Sequence, residues 1–548
     1  GTASTATMTG TGWGNVREIR LTGSNQPLKT SWRIGSGSSY ANTWEVTVPV
    51  SAGTHTITLE AYDYQGALID LDFIQVTSSA PNPVVDSLRI TELNYNPADP
   101  TSSELSTNSL LDNDDFEFIE IQNIGTQTLN LAGLQLTDGV QFTFGSTTAS
   151  PGERVVVIKD LAAFARRYGT GSTIAGEFSS GSLSNSGETV RLSDQLGNTI
   201  LEFRYGDDDP WPESPDGAGA TLELIAPDST SSSEYGKYYH WRGSTELYGT
   251  PGSAGLGSLG VVINEVLAHT DPPISQSDTI ELHNTTSGVF HVGGWYLSDS
   301  ESNLTKFVIP DGTTIAAGGY ISLDESDFNA NPGSASSFAL SGAHGDSVWL
   351  VRSQGGDLQI VDDVHFGSSL NGESFARIPN GVGRLVPTAS LTLGTSNGSV
   401  RTGPLMISEV QYNAGLPSSA ALLAHSTMSG EDLEFIEILN ISGSAVELTD
   451  WRIRGGQNAD LKYDFAAGTT LSAGEALLVT AFNPANVSNS DRLASFRAHY
   501  GLDTGVTLVG GYSGHLDDNG QLVVLEGPDA APAEAATLWS LSRMVLAS

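Results

Sequence analysis

Cysteine is absent from the 548 residues of this chain, and basic residues are scarce. Without cysteine, the chain has no disulfide, no thiolate nucleophile and no cysteine-ligated metal site. Lys and Arg together number 24 against 63 Asp and Glu, so the formal net charge is −39 at pH 7. Such a charge repels the phosphate backbone of nucleic acids and the surface of anionic membranes. We therefore predict that nucleic acid is not a partner.

Long hydrophobic runs are also missing, because no apolar stretch approaches the roughly 18 residues that suggest a membrane-spanning helix. We predict no membrane insertion. The sequence begins at Gly1 without a visible signal sequence, which indicates a processed chain or part of a longer protein. Strong acidity with few lysines is typical of secreted bacterial proteins in salty or calcium-containing surroundings, and it predicts an extracellular or cell-surface location.

Catalytic signatures are missing as well. The sequence has no HExxH, no G-x-S-x-G, no Walker A loop and no dinucleotide-binding glycine motif. The ten histidines are scattered, and no spaced histidine–carboxylate pair recurs along the chain. We therefore predict a protein that is not an enzyme, with no catalytic residues and no organic cofactor.

The sequence does contain many short alternating segments rich in Val, Ile, Thr, Phe and Tyr, separated by Gly, Asn, Asp and Ser. Examples are residues 44–50, 55–64 and 521–527. Helical periodicity is confined to two short amphipathic segments, residues 161–169 and 492–501, and each of them ends at Gly. This pattern predicts an all-β fold of sandwich or barrel type.

Five short motifs recur three times in the same order, with a period of roughly 150 residues. The first motif reads LRITELNYNP from residue 88, VVINEVLAHT from 261 and LMISEVQYNA from 405. The second reads DFEFIEIQNIG from 115, DTIELHNTTSG from 278 and DLEFIEILNISG from 432. Linkers rich in Pro, Gly or Ser separate the copies and, being short, limit interdomain freedom. We predict a rod of four modules, with boundaries at 1–82, 83–256, 257–399 and 400–548.

The motif set resembles the lamin tail domain, an immunoglobulin-like β-sandwich of nuclear lamins and of secreted bacterial proteins. The [IV]-x-E-[VL] opening strand, the E-F-I-E-[IL]-x-N strand, YDFAAGTTLSAGE at 463–475 and TPG at 250–252 carry this resemblance. It implies tandem immunoglobulin-like β-sandwiches. The second repeat departs from the pattern, reading TIEL in place of FIEI, and LGTSNG at 393–398 where the first repeat reads YGTPG.

The N-terminal residues to about 80 are similar to an immunoglobulin or fibronectin III module. Similar modules precede lamin tail domains in large secreted bacterial proteins that also carry a CotH-like kinase region. No kinase sequence of that kind is present in this chain. The resemblance therefore implies the non-catalytic modules of such a protein, or a relative built from them.

The third repeat has an atypical end, because fewer residues follow its last shared motif than in the other repeats. The residues after GPDA no longer show the pattern typical of a strand. We therefore predict a domain that lacks its last strands and has an edge that pairs readily with another chain. Residues 2–10 could supply such a strand in a neighbouring copy; the alternative is an ordinary first strand of their own domain. A frameshift near this end is a second explanation, because one codon choice for 539–548 resembles residues 211–220 when it is read in another frame.

Acidic residues recur at two positions, and both are calcium candidates. In a strand, Glu117 and Glu120 point to opposite faces, so at most one can lie beside the glutamate of the opening strand. Two close carboxylates repel unless a cation or an arginine lies between them, and Ca²⁺ prefers such oxygen ligands. The alternative is a solvated strand face with arginine partners or backbone hydrogen bonds. The recurring acids are Glu92, Glu265 and Glu409 at one position, and Glu120, Glu281 and Glu437 at the other.

Acid-rich loops form the second group of calcium candidates. They carry Asp112, Asp114 and Asp115 in one loop and Asp207, Asp208 and Asp209 in another. Closely spaced carboxylates in a flexible loop can wrap Ca²⁺, although neither loop has the EF-hand pattern. The alternative is simple solvation of the loops.

These observations favour a non-enzymatic extracellular structural protein that builds a cell-surface or extracellular filament, matrix or adhesive assembly, with Ca²⁺ as a stiffening cation. Its predicted partners are further copies of itself or other cell-surface proteins. The alternative is a ligand- or carbohydrate-binding accessory region of a larger secreted protein. Aromatic residues at 234–241, with Trp211, suit stacking on glycans, but the same residues could instead pack as the closing core of a domain.

Overall fold

The computed structural model describes residues 5–12, 15–22, 28, 30–33, 42–50, 53–79, 83–207, 210–455, 461–517, 522–528 and 539–545. The chain divides into two compact units. One comprises Gly1–Asp207 with Pro215–Gly255, and the other comprises Asp208–Ser214 with Leu256–Ser548. The N-terminal module and most of the first repeat lie in the first unit, and the second and third repeats lie in the second. Within the described ranges, no helix is long and apolar enough to cross a membrane.

The N-terminal module consists of two three-stranded sheets, ordered β1-β4-β3 and β2-β5-β6. Apolar side chains that alternate along these strands fill the space between the sheets, among them Met8, Ile19, Val48 and Ile57. Strand β1 pairs antiparallel with β4 along its whole length, so it serves as a strand of its own module. The strands are β1 Thr5–Gly12, β2 Glu18–Leu21, β3 Ser31–Arg33, β4 Asn42–Pro49, β5 Gly53–Tyr62 and β6 Leu68–Ser78.

The first repeat has a six-stranded sheet ordered β14-β13-β8-β7-β18-β19, a five-stranded sheet ordered β15-β11-β10-β16-β17, and a small β12-β9 pair. Its elements are α1 Pro83–Ser87, β7 Leu88–Asn94, α2 Ser102–Leu105, β8 Phe118–Asn123, β9 Leu129–Asn130, β10 Gln135–Asp138, β11 Val140–Thr143, β12 Thr148–Ala149, β13 Arg154–Ile158, α3 Leu161–Tyr168, β14 Thr173–Glu177, β15 Ser180–Gly181, β16 Thr189–Ser193, β17 Thr199–Arg204, β18 Leu222–Leu224 and β19 Trp241–Gly243.

The second repeat repeats this plan with sheets ordered β26-β21-β20-β29-β30, β24-β23-β27-β28 and β22-β25. One continuous core joins the two larger sheets, and it includes Trp295, Phe328 and Phe366. Its elements are β20 Val261–Leu267, β21 Thr279–Asn284, β22 Phe290–His291, β23 Tyr296–Ser298, β24 Phe307–Val308, β25 Thr314–Ile315, β26 Tyr320–Asp324, α4 Glu325–Phe328, β27 Asp346–Gln354, β28 Asp357–Phe366, β29 Ser374–Arg377 and β30 Leu385–Pro387.

The third repeat has two four-stranded sheets, ordered β31-β32-β37-β38 and β35-β34-β39-β40, and a β33-β36 pair. Its elements are β31 Leu405–Gln411, α5 Ser419–Ala424, β32 Phe435–Asn440, β33 Val446–Glu447, β34 Arg452–Gly455, β35 Lys462–Asp464, β36 Thr470–Leu471, β37 Ala476–Thr480, α6 Ser490–Tyr500, β38 Thr507–Gly510, β39 Leu522–Pro528 and β40 Trp539–Val545. The expectation that strand character is lost after GPDA at 527–530 is wrong for β40, whose backbone pairs antiparallel with β39.

The two predicted amphipathic segments are helices α3 and α6. Helix α3 begins after Asp160, whose side chain accepts a hydrogen bond from the Ala163 amide, and it ends at Gly169. Both the N-terminal carboxylate and the C-terminal glycine satisfy groups that a helix end leaves unpaired. Short 3₁₀ helices lie at Asp114–Phe116, Ser232–Glu234, Tyr238–His240, Glu431–Leu433 and Val487–Asn489.

A buried asparagine closes the same strand in every repeat. Each side-chain amide donates to a backbone carbonyl in the following turn and to one in the strand that enters the small two-stranded sheet, and Asn284 donates to the Ala316 carbonyl as well. Because a buried carbonyl without a donor is costly, this residue fixes where the chain leaves the large sheet. The contacts are Asn123 to Gln127 and Ala149, Asn284 to Gly288 and Ile315, and Asn440 to Ser444 and Leu471.

Candidate functional site

The recurring glutamates meet as pairs on the first two strands of each repeat. They are directly opposite one another across antiparallel strands, as Glu92 with Glu120, Glu265 with Glu281, and Glu409 with Glu437. Glu117 lies elsewhere, where its carboxylate accepts a hydrogen bond from the Leu183 amide at 3.0 Å. The sequence-based prediction that only one of Glu117 and Glu120 could join the opening-strand glutamate is therefore consistent with the geometry.

A polar residue precedes the first glutamate of each pair and belongs to the same site. The register of the two strands shifts immediately before that glutamate, which is the mark of a β-bulge. At the bulge, the side chain donates to the second glutamate in all three repeats. These bonds run from Thr91 to Glu120 at 2.5 Å, from Asn264 to Glu281 at 3.1 Å and from Ser408 to Glu437 at 2.7 Å. These donors were not predicted from the sequence, although a polar residue stands directly before the recurring glutamate in all three copies of the first motif.

In the first repeat, the end of the domain returns to cover the pair. Strand β18 pairs with β7, and the hydroxyl of Thr221 donates to Glu92 at 2.5 Å. The Thr250 amide then donates to Glu92 at 2.9 Å, and the Gly252 amide donates to Glu120 at 2.8 Å. The Thr-x-Gly turn thus presents one backbone donor to each carboxylate.

The second repeat forms the same arrangement with different residues. Ser374, at the start of β29, donates its hydroxyl to Glu265. Thr392 donates both its amide, at 3.0 Å, and its hydroxyl, at 2.8 Å, to Glu265, and the Gly394 amide donates to Glu281. We call residues 221–252 and 374–394 the closing segments of the first and second repeats.

The structure corrects one detail of the sequence comparison. That comparison set LGTSNG at 393–398 opposite YGTPG of the first repeat. The carboxylate contacts instead set Thr392 and Gly394 opposite Thr250 and Gly252. The intervening residue is proline in one turn and leucine in the other, because the carboxylates are contacted by the first and last residues of the turn and not by the middle one.

The two closed pairs are deeply buried, with 2% and 1% of Glu92 and Glu120 exposed and 0% of Glu265 and Glu281. Burial raises the pKa of Glu92 well above its ordinary value, and the neighbouring Glu120 charge raises it further. Burial likewise raises the pKa of Glu281 to about 7. In the first repeat, Arg154 also lies 3.5 Å from Glu120. Backbone amides, hydroxyls and an arginine therefore contact carboxylates that the sequence offered as calcium ligands, and these carboxylates are buried rather than on a solvated strand face.

The third pair is different, because Glu409 is exposed and Glu437 is only half-buried. Within the described residues, β31 is an edge strand with β32 as its one neighbour, whereas β7 and β20 each lie between two strands. The bulge residue Ser408 still donates to Glu437. The pair is thus formed as in the other repeats, but no described segment covers it.

The acid-rich loops have no shared centre in the described part of the chain. Asp114 and Asp115 belong to a 3₁₀ helix, and Asp115 accepts a hydrogen bond from the Asp112 amide at 3.2 Å. Asp207 is described, whereas Asp208 and Asp209 lie outside the described residues. Among the described residues, no three His, Asp or Glu side chains converge in a way that could hold a metal ion. Calcium binding by these loops stays a prediction.

A histidine cluster that the sequence did not indicate lies in the second unit. The His365 Nδ1 atom is 2.9 Å from Glu213 and 3.0 Å from the Ser347 hydroxyl, which itself donates to Glu213 at 2.5 Å. Serine and carboxylate converge on one ring nitrogen, whereas a catalytic relay needs them on opposite nitrogens. The cluster therefore binds Glu213 to strands β27 and β28.

The aromatic group at 234–241 is divided between core and surface. Tyr235 and Trp241 are buried, and the Trp241 ring stacks on Phe203 with 5.2 Å between centroids. Tyr239 is 54% exposed and packs against the ring of Tyr238. Trp211 belongs to the other compact unit. The buried members therefore form the closing core, which leaves Tyr239 as the accessible ring.

Comparison with known proteins identifies the repeats. The lamin tail domain family matches residues 81–207, 257–368 and 399–528, which together make up more than half of the chain. Both closing segments lie outside these matches. No curated protein matches the chain. A crystal structure of a DUF4876 family protein from Bacteroides thetaiotaomicron is similar at 10% identity and a TM-score of 0.18, covering 50% of this chain and 68% of that one. A similarity of this size carries no argument.

Proposed function

The chain belongs to the lamin tail domain family, and from this premise we propose that it is a non-enzymatic extracellular structural protein that assembles from rigid β-sandwich modules. Its recurring polar residues support this proposal. Asn123 and Glu92, with their counterparts in the second repeat, are buried and bonded to the backbone of their own domain. Side chains used in this way hold modules together and are withdrawn from any substrate.

The net charge of −39 supports a role outside the cell, where high salt or divalent cations screen repulsion between copies. We propose further copies of this chain, or other cell-surface proteins, as its partners. Calcium bound between acidic loops of such copies would stiffen the assembly. The single observation on which the structural role depends is the internal use of the recurring acids.

Electron microscopy of negatively stained native material tests this function. Ordered filaments or sheets that dissolve on dilution and return on concentration are the expected result. Single dispersed particles at every concentration, both without Ca²⁺ and with Ca²⁺ at about 1 mM, the upper end of the range for extracellular calcium modules, would contradict it.

A second candidate is a carbohydrate-binding accessory module, which the exposed ring of Tyr239 favours. An aromatic ring that is open on one face and flanked by polar groups can stack on a sugar. Glycan-array binding that is lost in Tyr239→Ala and kept in Tyr64→Ala would establish this function. Tyr64 is a suitable control because its ring is 64% exposed on the N-terminal module.

A further inference from the structure

A row of five charged side chains crosses the large sheet of the first repeat. Glu120, Glu92 and Glu223 lie side by side on β8, β7 and β18, because Glu92 is opposite both of the others across antiparallel strands. Arg154 lies 3.5 Å from Glu120 at one end of the row, and Arg242 lies 3.0 Å from Glu223 at the other end. Three carboxylates and two guanidinium groups leave one negative charge in excess. Within the described part of the chain, no arginine pairs with Glu92 at the centre.

These charged residues line a cleft of about 190 Å³ in the first unit. Thr250 and residues 253–255 line another side of the cleft, and Leu224, Ile225 and Pro227 supply apolar surface. The cleft is open to solvent, since 46% of Ile225 is exposed. A water molecule takes up roughly 30 Å³ in the liquid, so the cleft has room for about six water-sized groups. That is the size of a small amino acid.

One oxygen of Glu92 lacks the donor that its counterpart in the second repeat has. The Oε1 atom of Glu92 accepts from the Thr221 hydroxyl and the Thr250 amide, whereas Oε2 accepts no hydrogen bond from any described residue. In the second repeat, the Thr392 hydroxyl donates to Oε2 of Glu265 at 2.8 Å. The Thr250 hydroxyl instead donates to a carbonyl of its own turn at 3.3 Å. Glu92 is 2% exposed, and a buried acceptor without a donor is costly.

Two neighbours of Glu92 also have unused hydrogen-bonding atoms. Arg242 donates to Oε2 of Glu223 at 3.0 and 3.2 Å, and Oε1 of Glu223 accepts from none of the residues described. Arg154 contacts Glu120 through Nε, and neither of its Nη atoms makes a hydrogen bond to a described residue. The cleft thus offers two carboxylate acceptors and one guanidinium donor. A ligand with an ammonium group at one end and a carboxylate at the other matches this set.

We propose that this cleft binds a small α-amino acid with an apolar side chain. The ammonium group of the ligand donates to Oε2 of Glu92 and Oε1 of Glu223, and its carboxylate accepts from Arg154. Leu224 and Ile225 contact the side chain of the ligand. This inference goes beyond the proposed function, because the bonds that hold the closing segment use the other oxygen of Glu92 and stay in place.

Charge distinguishes this ligand from a sugar or a group of water molecules. Burial, together with the charges of Glu120 and Glu223, raises the pKa of Glu92. Ionised Glu92 is therefore costly until a cation lies beside it. An ammonium group supplies that cation, whereas hydroxyl groups and water do not. Hydrogen bonds between ionised groups are about twice as strong as those between neutral groups, so a zwitterion is favoured at both of its ends.

Saturation-transfer NMR with L-alanine as the probe tests the proposal directly. We expect the methyl signal of L-alanine in the presence of the full chain to saturate with a dissociation constant at or below about 1 mM. Propionate has no ammonium group and ethylamine has no carboxylate, so each should bind about tenfold or more weakly. Absence of a saturable signal from L-alanine would overturn the proposal. Binding of propionate or ethylamine as tight as that of L-alanine would overturn it as well.

The variant Glu223→Gln tests the location of the site. Glutamine keeps an acceptor for Arg242 and removes the negative charge, so L-alanine should bind about tenfold or more weakly. Glu92→Gln should have the same effect, and thermal unfolding of both variants checks that the fold is kept. Glu177→Gln, an exposed acid of the same repeat, is the matched control. Unchanged affinity in folded Glu223→Gln or Glu92→Gln would overturn the proposal. Neither result depends on whether the chain forms polymers, so this inference and the proposed function can fail separately.

Discussion

The Gly252 amide donates to the Glu120 carboxylate over 2.8 Å, and this bond joins residues that are 132 positions apart. Its counterpart in the second repeat joins Gly394 to Glu281 across 113 positions. Each bond connects the second strand of a domain to the end of the same domain. The buried carboxylate pair therefore accepts hydrogen bonds from the end of its own domain, and these bonds hold that end to the first two strands.

Removing one carboxylate of the buried pair should destabilise the first repeat. In Glu120→Ala, the Thr91 hydroxyl and the Gly252 amide lose their acceptor in a buried site, which costs about 2–5 kcal/mol. In Glu437→Ala, the half-buried side chain loses one hydroxyl donor, and we expect a cost of about 1 kcal/mol. Differential scanning calorimetry of the full chain measures the loss of stability in both variants. Equal decreases in unfolding temperature would show that the closing segment does not add to the stabilisation by the glutamate pair.

Stability should fall as the pH rises, because of Glu117. Burial raises the pKa of Glu117 to about 8, so the folded chain holds a proton that the unfolded chain releases near pH 4.5. Between those values the folded state binds more protons than the unfolded state, and stability declines by at most about 1.4 kcal/mol per pH unit. Above pH 8 this dependence ends.

The variant Glu117→Gln tests this dependence, because a neutral amide still accepts from the Leu183 amide. Urea unfolding at pH 5.5 and pH 8.5 should show a smaller loss of stability in the variant than in the parent chain. Glu177→Gln, whose parent side chain is exposed, is the control. A variant that retains the full pH dependence would assign it to other buried acids, such as Glu92.

His365 should titrate above pH 6.5. Burial opposes its protonation, but the hydrogen bond and the charge of Glu213 outweigh burial and raise the pKa of His365. The ion pair stabilises the fold fully below pH 6.5, and this contribution is lost as the pH rises through the folded-state pKa. NMR titration should show the pKa falling in Glu213→Gln. An unchanged value would mean that Glu213 does not face the ring in solution.

Calcium binding to the acid-rich loops should be weak and local. Loops with few fixed carboxylates match extracellular calcium modules, whose dissociation constants are roughly 0.1–1 mM. We expect isothermal titration with CaCl₂ to detect binding in this range whose stoichiometry falls in Asp112→Asn/Asp114→Asn/Asp115→Asn, which changes one of the two loops. Glu409→Gln should leave it unchanged. If titration of the parent chain gave only the heat of dilution, calcium binding by these loops would be excluded.

Local pattern in the sequence was sufficient for the fold class. Alternating β-branched and aromatic residues predicted all-β modules, and ordered motifs predicted three domains of one family, which the family matches confirm. The short helices were also predictable, since helix α3 is set by Asp160 at its start and Gly169 at its end. These features depend on residues within a few positions of each other, so a single stretch of sequence contains them.

The recurrence of acids at two positions identified the residues that pair, and the alternation of strand residues predicted that at most one of Glu117 and Glu120 would join Glu92; the structure shows that it is Glu120. The groups that donate hydrogen bonds to these carboxylates could not be predicted. Thr250 lies 158 positions from Glu92, and its contact is made by a backbone amide that any residue except proline has. The identity of the residue at this position therefore does not predict the contact. For the same reason, aligning LGTSNG with YGTPG gave the wrong register.

The sequence by itself determined the modules, their order and the acids that recur in them, because each follows from local periodicity and from repetition. Only the tertiary structure decided that the closing segment returns to cover the first two glutamate pairs and that no described segment covers the third. Long-range pairing of backbone groups makes that difference, and backbone groups are the same at almost every position of the chain.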